Sequence, residues 1–569
     1  MRATGDGRRA TGDGRRATGD GRRAVLFAAR SAVALYRLLD ALPVFAGDDR
    51  ITRLFTLVPG SDFGVDALSV IDGVGGRTLP WDEACRRTFD LVLTASPKGE
   101  LSLLSGQHVL LPHGAGFNKS IPGEGSPGSA SGLDPEYLLP SDDEAPAALY
   151  ALAHPDQVAR LAAASPRAAE RAKVIGDPTL ERILASLSLR DRYRRALGTG
   201  SRTLIVLAST WGPECLLRRR PGLPAELAAH LPYDEYQLAL IVHPNERSLL
   251  GRYELAERLS PALDAGLVLA GPYEEWASVL IAADALITDH GSTALYYSAV
   301  SDRPVVNVHR TGAELIPGSP MDVLLRHVPE LGPAETVQEA LAAYRPGTGH
   351  AAAQAGFASR GESSSPLRTE VYALLGLAPP ANHVPPRLLP APSAATRTPA
   401  AFDVHATVSE DGVLVDRRPA GIGPPGHHLA VEYGAAGEQL VRSAGLLYCR
   451  RSQPSPTAGE VEWTAAGWAR HALYEYSGCR SAAAIMTTGP CVLKIRGDDG
   501  TYAVHVESRY EDGRIVRVDP AAALSAVHAW LSDHRGVPDG QSGLNCVIGD
   551  RTFHVLLRPA TDEEAGQAL

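Results

Sequence analysis

Short apolar runs recur along the first two thirds of the chain, each closed by a turn of glycine, proline, histidine or hydroxyl residues. They lie at Arg53–Val58, Leu68–Ile71, Leu91–Thr94, Val109–Leu111 and Lys173–Ile175. They resume at Thr203–Ala208, Gln237–Val242, Leu267–Ala270, Ala285–Thr288 and Val305–Val308. Between them stand segments with helical spacing, predicted over Ser31–Leu42, His154–Ala164, Ala294–Val300 and Ser365–Leu377. Gly176-Asp177-Pro178 opens a further helix, with Asp177 as N-cap and Pro178 in its first turn. Buried strands alternating with helices describe mostly parallel sheets covered on both faces. From Phe402 the pattern changes. Val404–Ser409 and Val413–Arg417 flank Glu410-Asp411-Gly412, a hairpin signal. Val492–Arg496, Tyr502–Tyr510 and Arg514–Asp519 predict a three-stranded antiparallel meander, followed by a helix at Ala521–Ser532 and a strand at Thr552–Leu557.

The expected fold class is therefore α/β, with two doubly wound Rossmann-like domains and a C-terminal α+β domain. The boundaries expected are 25–170 and 171–377 for the two domains, a Pro/Ala-rich linker over 378–401, and 402–569 for the last domain. Residues 2–22 repeat the heptad Arg-Ala-Thr-Gly-Asp-Gly-Arg three times, with no apolar face at either period, so 1–24 is expected to be disordered. Ala24–Ala29 after Arg22-Arg23 has the look of a signal-peptide start. Arg30, Arg37 and Asp40 interrupt the apolar run, so neither export nor a membrane span is expected.

In doubly wound sheets ligands gather beyond the carboxyl ends of the strands. There the first half offers Pro112-His113-Gly114-Ala115-Gly116-Phe117-Asn118-Lys119. His113 directly follows a buried strand and precedes flexible glycines, a position suited to a general base, although a histidine bonded within its loop fits the pattern too. Ser120–Asp143, rich in Gly, Ser and Pro, reads as a mobile loop. The second half offers Ser209-Thr210-Trp211-Gly212, His243-Pro244-Asn245, Gly271-Pro272 and Asp289-His290-Gly291-Ser292-Thr293. The last of these opens a helix, whose free N–H groups and dipole favour a phosphate, unless Ser292 or Thr293 simply caps it. Hydroxyls, an imidazole and a helix N-terminus, without an acidic cluster, suit a nucleoside diphosphate held with no metal cage, so no metal or cofactor is expected.

Composition narrows this reading little. The chain has 569 residues, 44% hydrophobic and 21% charged, which fits a soluble globular protein of several domains. A net charge of −10 gives no general attraction to nucleic acid. Six scattered cysteines without a CxxC pair point to a reducing, cytoplasmic setting. A place on the inner membrane face, through the Arg-bearing helix Ser31–Leu42, is the alternative. His427-His428 in a Gly/Pro loop is not read as a metal site.

Two such domains facing each other form the glycosyltransferase B (GT-B) architecture, with the donor nucleotide in the second domain, the acceptor in the first and a late helix returning across the pair. The motifs resemble the CDP-glycerol glycerophosphotransferases that polymerise teichoic acid. That family carries His-Gly followed by a lysine, a Thr-Trp turn, a His-Pro, and Ala-Asp-x-Leu-Ile-Thr-Asp-Tyr-Ser-Ser. Here these are His113-Gly114 with Lys119, Thr210-Trp211, His243-Pro244, and Ala283 to Ser292 followed by Arg303-Pro304. Here Tyr-Ser-Ser becomes His290-Gly291-Ser292, and no basic residue follows Trp211, which leaves sugar versus glycerol open.

The resemblance implies a transferase acting at the cell wall. His113 takes the proton of an acceptor hydroxyl, that oxygen attacks the β-phosphorus of a CDP-alcohol, and CMP leaves. It implies that His243 and the groups at Ser292 and Thr293 neutralise charge on the pyrophosphate, with Thr210, Trp211, Asp289 and Gly291 on the donor side. Asp289 would orient the turn or a donor hydroxyl. Gly114, Asn118 and Lys119 fall on the acceptor side. The partners implied are a nucleotide-activated alcohol or sugar and a polymer or lipid-linked acceptor. The last domain would take an unidentified protein partner. Two alternatives stand beside this reading: a GT-B glycosyltransferase or epimerase using a UDP- or GDP-sugar, and a non-catalytic nucleotide-binding scaffold.

Overall fold

The computed structural model describes residues 22–60, 71–111, 114–121, 130, 132–133, 138, 147–310, 312–358, 360–381, 385–451, 461–534 and 540–569. Most of the heptad repeat, His113 and most of the loop Ser120–Asp143 lie outside the described residues.

The first half is a six-stranded parallel sheet built from β1 (Arg23–Ala29), β2 (Ile51–Leu57), β3 (Thr88–Thr94), β4 (Ser105–Leu110), β5 (Leu149–Leu152) and β6 (Ala172–Val174), in the order β2-β1-β3-β4-β5-β6. The run taken for a possible signal-peptide start is thus β1, an interior strand between β2 and β3, and Ala24 to Ala29 are all buried. A near-continuous apolar run is what a parallel strand covered on both faces requires. Of the expected strand at Leu68–Ile71, 68–70 lie outside the described residues, and Ile71 is helical. Helix α1 (Ala32–Ala41) follows β1 and is capped by Ser31, whose side chain accepts from Ala34 N. Helix α2 (Pro178–Ala185) begins as expected, with the Asp177 side chain accepting from Leu180 N and Pro178 at the first turn.

The second half holds β7 (Thr203–Ser209), β8 (Tyr236–Val242), β9 (Val268–Leu269), β10 (Ala285–Thr288) and β11 (Val305–Asn307), all parallel in the order β11-β10-β7-β8-β9. Helices α3 (Pro244–Arg258) and α4 (Thr293–Val300) leave the ends of β8 and β10. The strand order reverses between β7 and β10, the place where this topology opens a crevice. A late helix, α5 (Ser364–Leu375), does not stay with the second sheet. Its Leu367, Val371, Tyr372 and Leu375 join the core beneath the first sheet with Phe27, Phe45 and Phe55. This return matches the GT-B arrangement expected above. Residues 385–400 form no helix or strand and lie along the second half, with Leu389 buried and Ser393 and Arg397 bonded to Glu275 and Asp264.

The last region is a closed barrel rather than the expected α+β domain. Its strands are β12 (Ala401–Ser409), β13 (Gly412–Pro419), β14 (His428–Glu432), β15 (Leu446–Arg450), β16 (Ser481–Ile485), β17 (Cys491–Ile495), β18 (Tyr502–Val506), β21 (Ser542–Ile548) and β22 (Arg551–Pro559). The predicted hairpin β12–β13 is present. The predicted meander is present only in part: β17 and β18 pair antiparallel, but β18 then pairs with β22, and β19 (Arg509–Glu511) and β20 (Arg514–Val516) form a separate two-stranded ribbon. Alternation decides which side each residue takes. Ala483 and Ile485 point into a core shared with Ala522, Ala523, Leu524 and Val527 of helix α7 (Pro520–His534). Ala482 and Ala484 point outward onto Trp468 and Ala472 of helix α6 (Ala465–Glu475). Nine of the fifteen residues of α7 are buried, from Ala521 to His528 and again at Leu531, because its surroundings are barrel wall.

Candidate active site in the cleft between the two sheets

The carboxyl ends of both sheets face a cavity of about 240 Å³. Thr210, Trp211, His243, Gly291, Ser292 and Thr293 line it from the second half, and Gly114, Asn118 and Lys119 from the first. His113 lies outside the described residues, and its neighbour Gly114 is at the wall: a Cβ built there would sit 3.5 Å from Ser292 Oγ.

Asp289 is fully buried and is not part of the wall. Its Oδ2 accepts from Thr210 N at 2.9 Å and Leu216 N at 2.8 Å, while Oδ1 accepts from Gly291 N at 2.9 Å. It fastens the turns after β7 and β10 to each other, which fixes the crevice at the reversal of strand order. The helix opened by that turn carries no side-chain cap: Ser292 occupies the N-cap position without accepting a backbone N–H. The capping alternative is therefore not realised. Gly291 N is held by Asp289, and Ala294 N and Leu295 N donate to Gly291 O and Ser292 O, so the turn brings Ser292, Thr293 and the positive end of the helix dipole to the cavity wall, where an anion is favoured.

His243 does cap its helix, accepting from Asn245 N on Nδ1 at 3.1 Å. In the neutral ring this bond assigns the proton to Nε2. The ring stands beside Trp211, with the two ring centroids 6.2 Å apart.

The two halves are clasped beside the cavity. Asn118 and Ser120 pair with Ile316 and Glu314 through backbone bonds of 2.8 Å each. Asn118 spends its side chain on Ala115 O and Met321 N. Lys119 Nζ lies over the Trp211 ring at 4.4 Å, donates to Trp211 O and sits 3.2 Å from Glu314 Oε2. Burial would raise the Glu314 carboxyl, but His290 and Lys119 beside it outweigh that and hold it below its ordinary range. Gly212, at φ +99°, permits this approach, since a Cβ there would stand 2.7 Å from Glu314 Oε1.

Sequence reasoning missed the contribution of α1. Val33, Tyr36, Arg37 and Asp40 all line the cavity. Their i, i+3, i+4, i+7 spacing is one helical face, so the charges read as interruptions of an apolar run were a polar stripe turned to the cleft. Arg37 therefore does not face a membrane surface. Its Nη1 is buried without a hydrogen-bond partner, 3.9 Å from Asp177 Oδ1, and its guanidinium lies 5.1 Å from the Tyr296 ring centroid. Arg182 bridges Asp40 and Glu274 at 3.0 and 2.6 Å. Tyr36 stacks on Tyr273 across the cleft at 4.8 Å, and Tyr273 is held at φ 125°, a costly conformation for a side-chain-bearing residue. Among the described residues, no helix is long and apolar enough to cross a membrane.

No family model and no curated protein matches this sequence. Solved structures similar to it include the wall teichoic acid polymerase TagF, at 12% identity over 62% of this chain and 89% of that one, with a TM-score of 0.44. HepE of Anabaena in complex with UDP and glucose is 15% identical over 62% of this chain and all of its own, with a TM-score of 0.37. MnaA of S. aureus with UDP is 11% identical over 63% and 98%, with a TM-score of 0.38. Likenesses this remote say nothing of what this chain binds.

Proposed function

We propose that the chain is a GT-B-type transferase that moves a glycerol-phosphate-type group from a CDP-activated alcohol to an acceptor hydroxyl and releases CMP. The observation that carries this reading is the wall of the cleft. An uncapped helix N-terminus at Gly291–Thr293, the imidazole of His243 and the buried cation of Arg37 line one cavity. Each of these groups stabilises negative charge, and a diphosphate in transfer develops it. The donor pyrophosphate binds at the Gly291–Thr293 turn, with the leaving CMP oxygens toward His243. The acceptor enters from the Gly114 side. Its hydroxyl gives its proton to His113 as the oxygen attacks the β-phosphorus. The bond from that phosphorus to the bridging oxygen breaks, and CMP departs.

Isothermal titration with CMP, CDP, UDP and GDP on the wild type, His243→Ala and Arg37→Gln tests the reading. Cytidine nucleotides should bind preferentially, and each variant should weaken them about tenfold, about 1.4 kcal/mol. A CMP-release assay should then fall to background in His113→Ala. Preference for UDP or GDP would move the assignment to sugar transfer, and no binding of any of the four would leave a scaffold without a nucleotide.

A further inference from the structure

At the edge of the cavity, which His290 itself lines, three side chains from neighbouring strand ends of the second sheet converge. Glu214 stands in the turn after β7, His290 in the turn after β10, and His309 just beyond β11. One ligating atom of each lies within 4.8 Å of the other two. His290 is 2% exposed and His309 9%. His290 Nδ1 and His309 Nδ1 have no hydrogen-bond partner, and the one group beside His290 Nε2 is the Glu314 carboxylate, 3.1 Å away. Buried imidazole nitrogens are ordinarily satisfied, so unmatched ones gathered at one point call for a ligand. We propose that Glu214, His290 and His309 bind one divalent cation of the zinc class.

The chemistry of the donor set selects the ion. Two imidazoles and a carboxylate suit zinc, whereas magnesium and calcium seek oxygen ligands. Bonds of about 2.1 Å place tetrahedral ligand atoms about 3.4 Å apart, so the three groups close by little more than 1 Å around the ion. A fourth donor is at hand in Glu314, whose Oε2 lies 3.1 Å from His290 Nε2 and 3.2 Å from Lys119 Nζ.

The surroundings orient the ligands, as the outer shell of a metal site must. Ala313 N and Glu314 N donate to the two oxygens of Glu214 at 2.8 and 3.1 Å. Gly312 is required for this, because a Cβ there would lie 1.9 Å from Glu214 Oε2. Sequence reasoning looked for cysteine pairs and acidic clusters, and the ligands here are far apart in the chain, joined only by the parallel order β7-β10-β11. The ion would tie three strand-end loops together at the edge of the cleft, whichever donor fills it, and would add positive charge next to the Gly291–Thr293 turn.

The test uses the full chain, stripped with a chelator and dialysed. Zinc is then titrated against a chromophoric chelator, and cobalt(II) is added to a second sample. One equivalent of zinc per chain, a visible cobalt band of tetrahedral type, and loss of both in His309→Ala and Glu214→Gln would support the site. Zinc should also raise the melting temperature of the wild type and leave that of Glu214→Gln unmoved. Absence of a cobalt band, with zinc failing to shift the wild-type melting temperature, overturns the proposal. So does full zinc binding in both variants. Should His309→Ala fail to fold, the wild-type cobalt spectrum and melting shift decide the matter alone.

Discussion

The cleft and the barrel use the same strand-and-helix vocabulary to opposite ends. In the two parallel sheets every strand points the same way, so all the carboxyl-end turns collect on one edge and meet across a cavity. In the barrel β14, β15 and β16 are also parallel, but the sheet closes on itself and α7 fills the interior. Its buried charge lies on the same face of β13 as the core residues Val413 and Val415 and reaches from there to the neighbouring half. Arg417, 0% exposed at its side chain, bonds both oxygens of Asp234 in the second half at 2.6 and 2.7 Å and reaches Asp519 at 2.9 Å. Tyr233 N donates to Arg417 O across the same junction. The lesson is that parallel order with an open edge creates the place for chemistry, while closure converts the same elements into a packed, attached body.

If that division holds, the largest effect comes from breaking the junction. Arg417→Ala leaves Asp234 and Asp519 without their shared partner. Removing one member of a buried pair costs about 3–5 kcal/mol. Urea unfolding should show that loss, while the folded protein binds nucleotide as tightly as before. A fall in affinity parallel to the fall in stability would erase the distinction between the two regions.

The barrel should also be the acid-sensitive part. His428 and His528 pack with ring centroids 4.4 Å apart. Burial, and then the neighbouring His528 and His427, push His428 down to about 3; burial, and then Arg480, push His528 down to about 4. Below the ordinary histidine value of 6.5 the unfolded chain takes up protons that the folded barrel refuses, so stability falls as pH drops from 6.5 toward 4. The slope is at most about 1.4 kcal/mol per pH unit for each ring. Urea midpoints measured between pH 7 and 4.5 should decline, and His428→Gln with His528→Gln should flatten the decline. An equally steep slope in the double variant would remove the pair as its cause.

The contrast also explains what could be read from the chain. Parallel strands covered on both faces leave continuous apolar runs, so nearly all of the second sheet, its turns and the return of α5 were legible. The same rule was not carried to Ala24–Ala29, where an interior strand behind two arginines resembled the start of a targeting segment; export was rejected there, but the strand was not read. The turns that line the cavity from the second half were visible because each follows its strand directly. Arg37 and Tyr36 were not, because a polar stripe on a buried helix resembles a broken apolar face until its partner half is in place. The barrel was illegible in outline for a different reason. Closure depends on which strands pair, β13 with β21 and β12 with β14, and those partners are distant in the sequence. Local turns such as Glu511-Asp512-Gly513 predicted a hairpin correctly but assigned it to the wrong sheet.

The smallest expected effect tests whether α5 truly belongs to the first half. Tyr372 Oη donates to Asp48 Oδ2 at 3.0 Å, and its ring lies 6.1 Å from that of Phe45. Asp48 does not depend on this bond alone. Hydrogen bonds from the Arg50 side chain, with a smaller share from Tyr372, lower its carboxyl to about 2. Tyr372→Phe therefore removes one donor from a carboxylate that keeps another and leaves the ring packing intact, so the expected loss is about 1 kcal/mol. Tyr372→Ala removes the ring as well and should cost about 3–5 kcal/mol, the range for emptying an aromatic site in a core. Urea unfolding of both variants separates the contributions. If the alanine variant loses no more than the phenylalanine one, the ring is not part of the first core, and α5 is an attached strap rather than the element that joins the two halves.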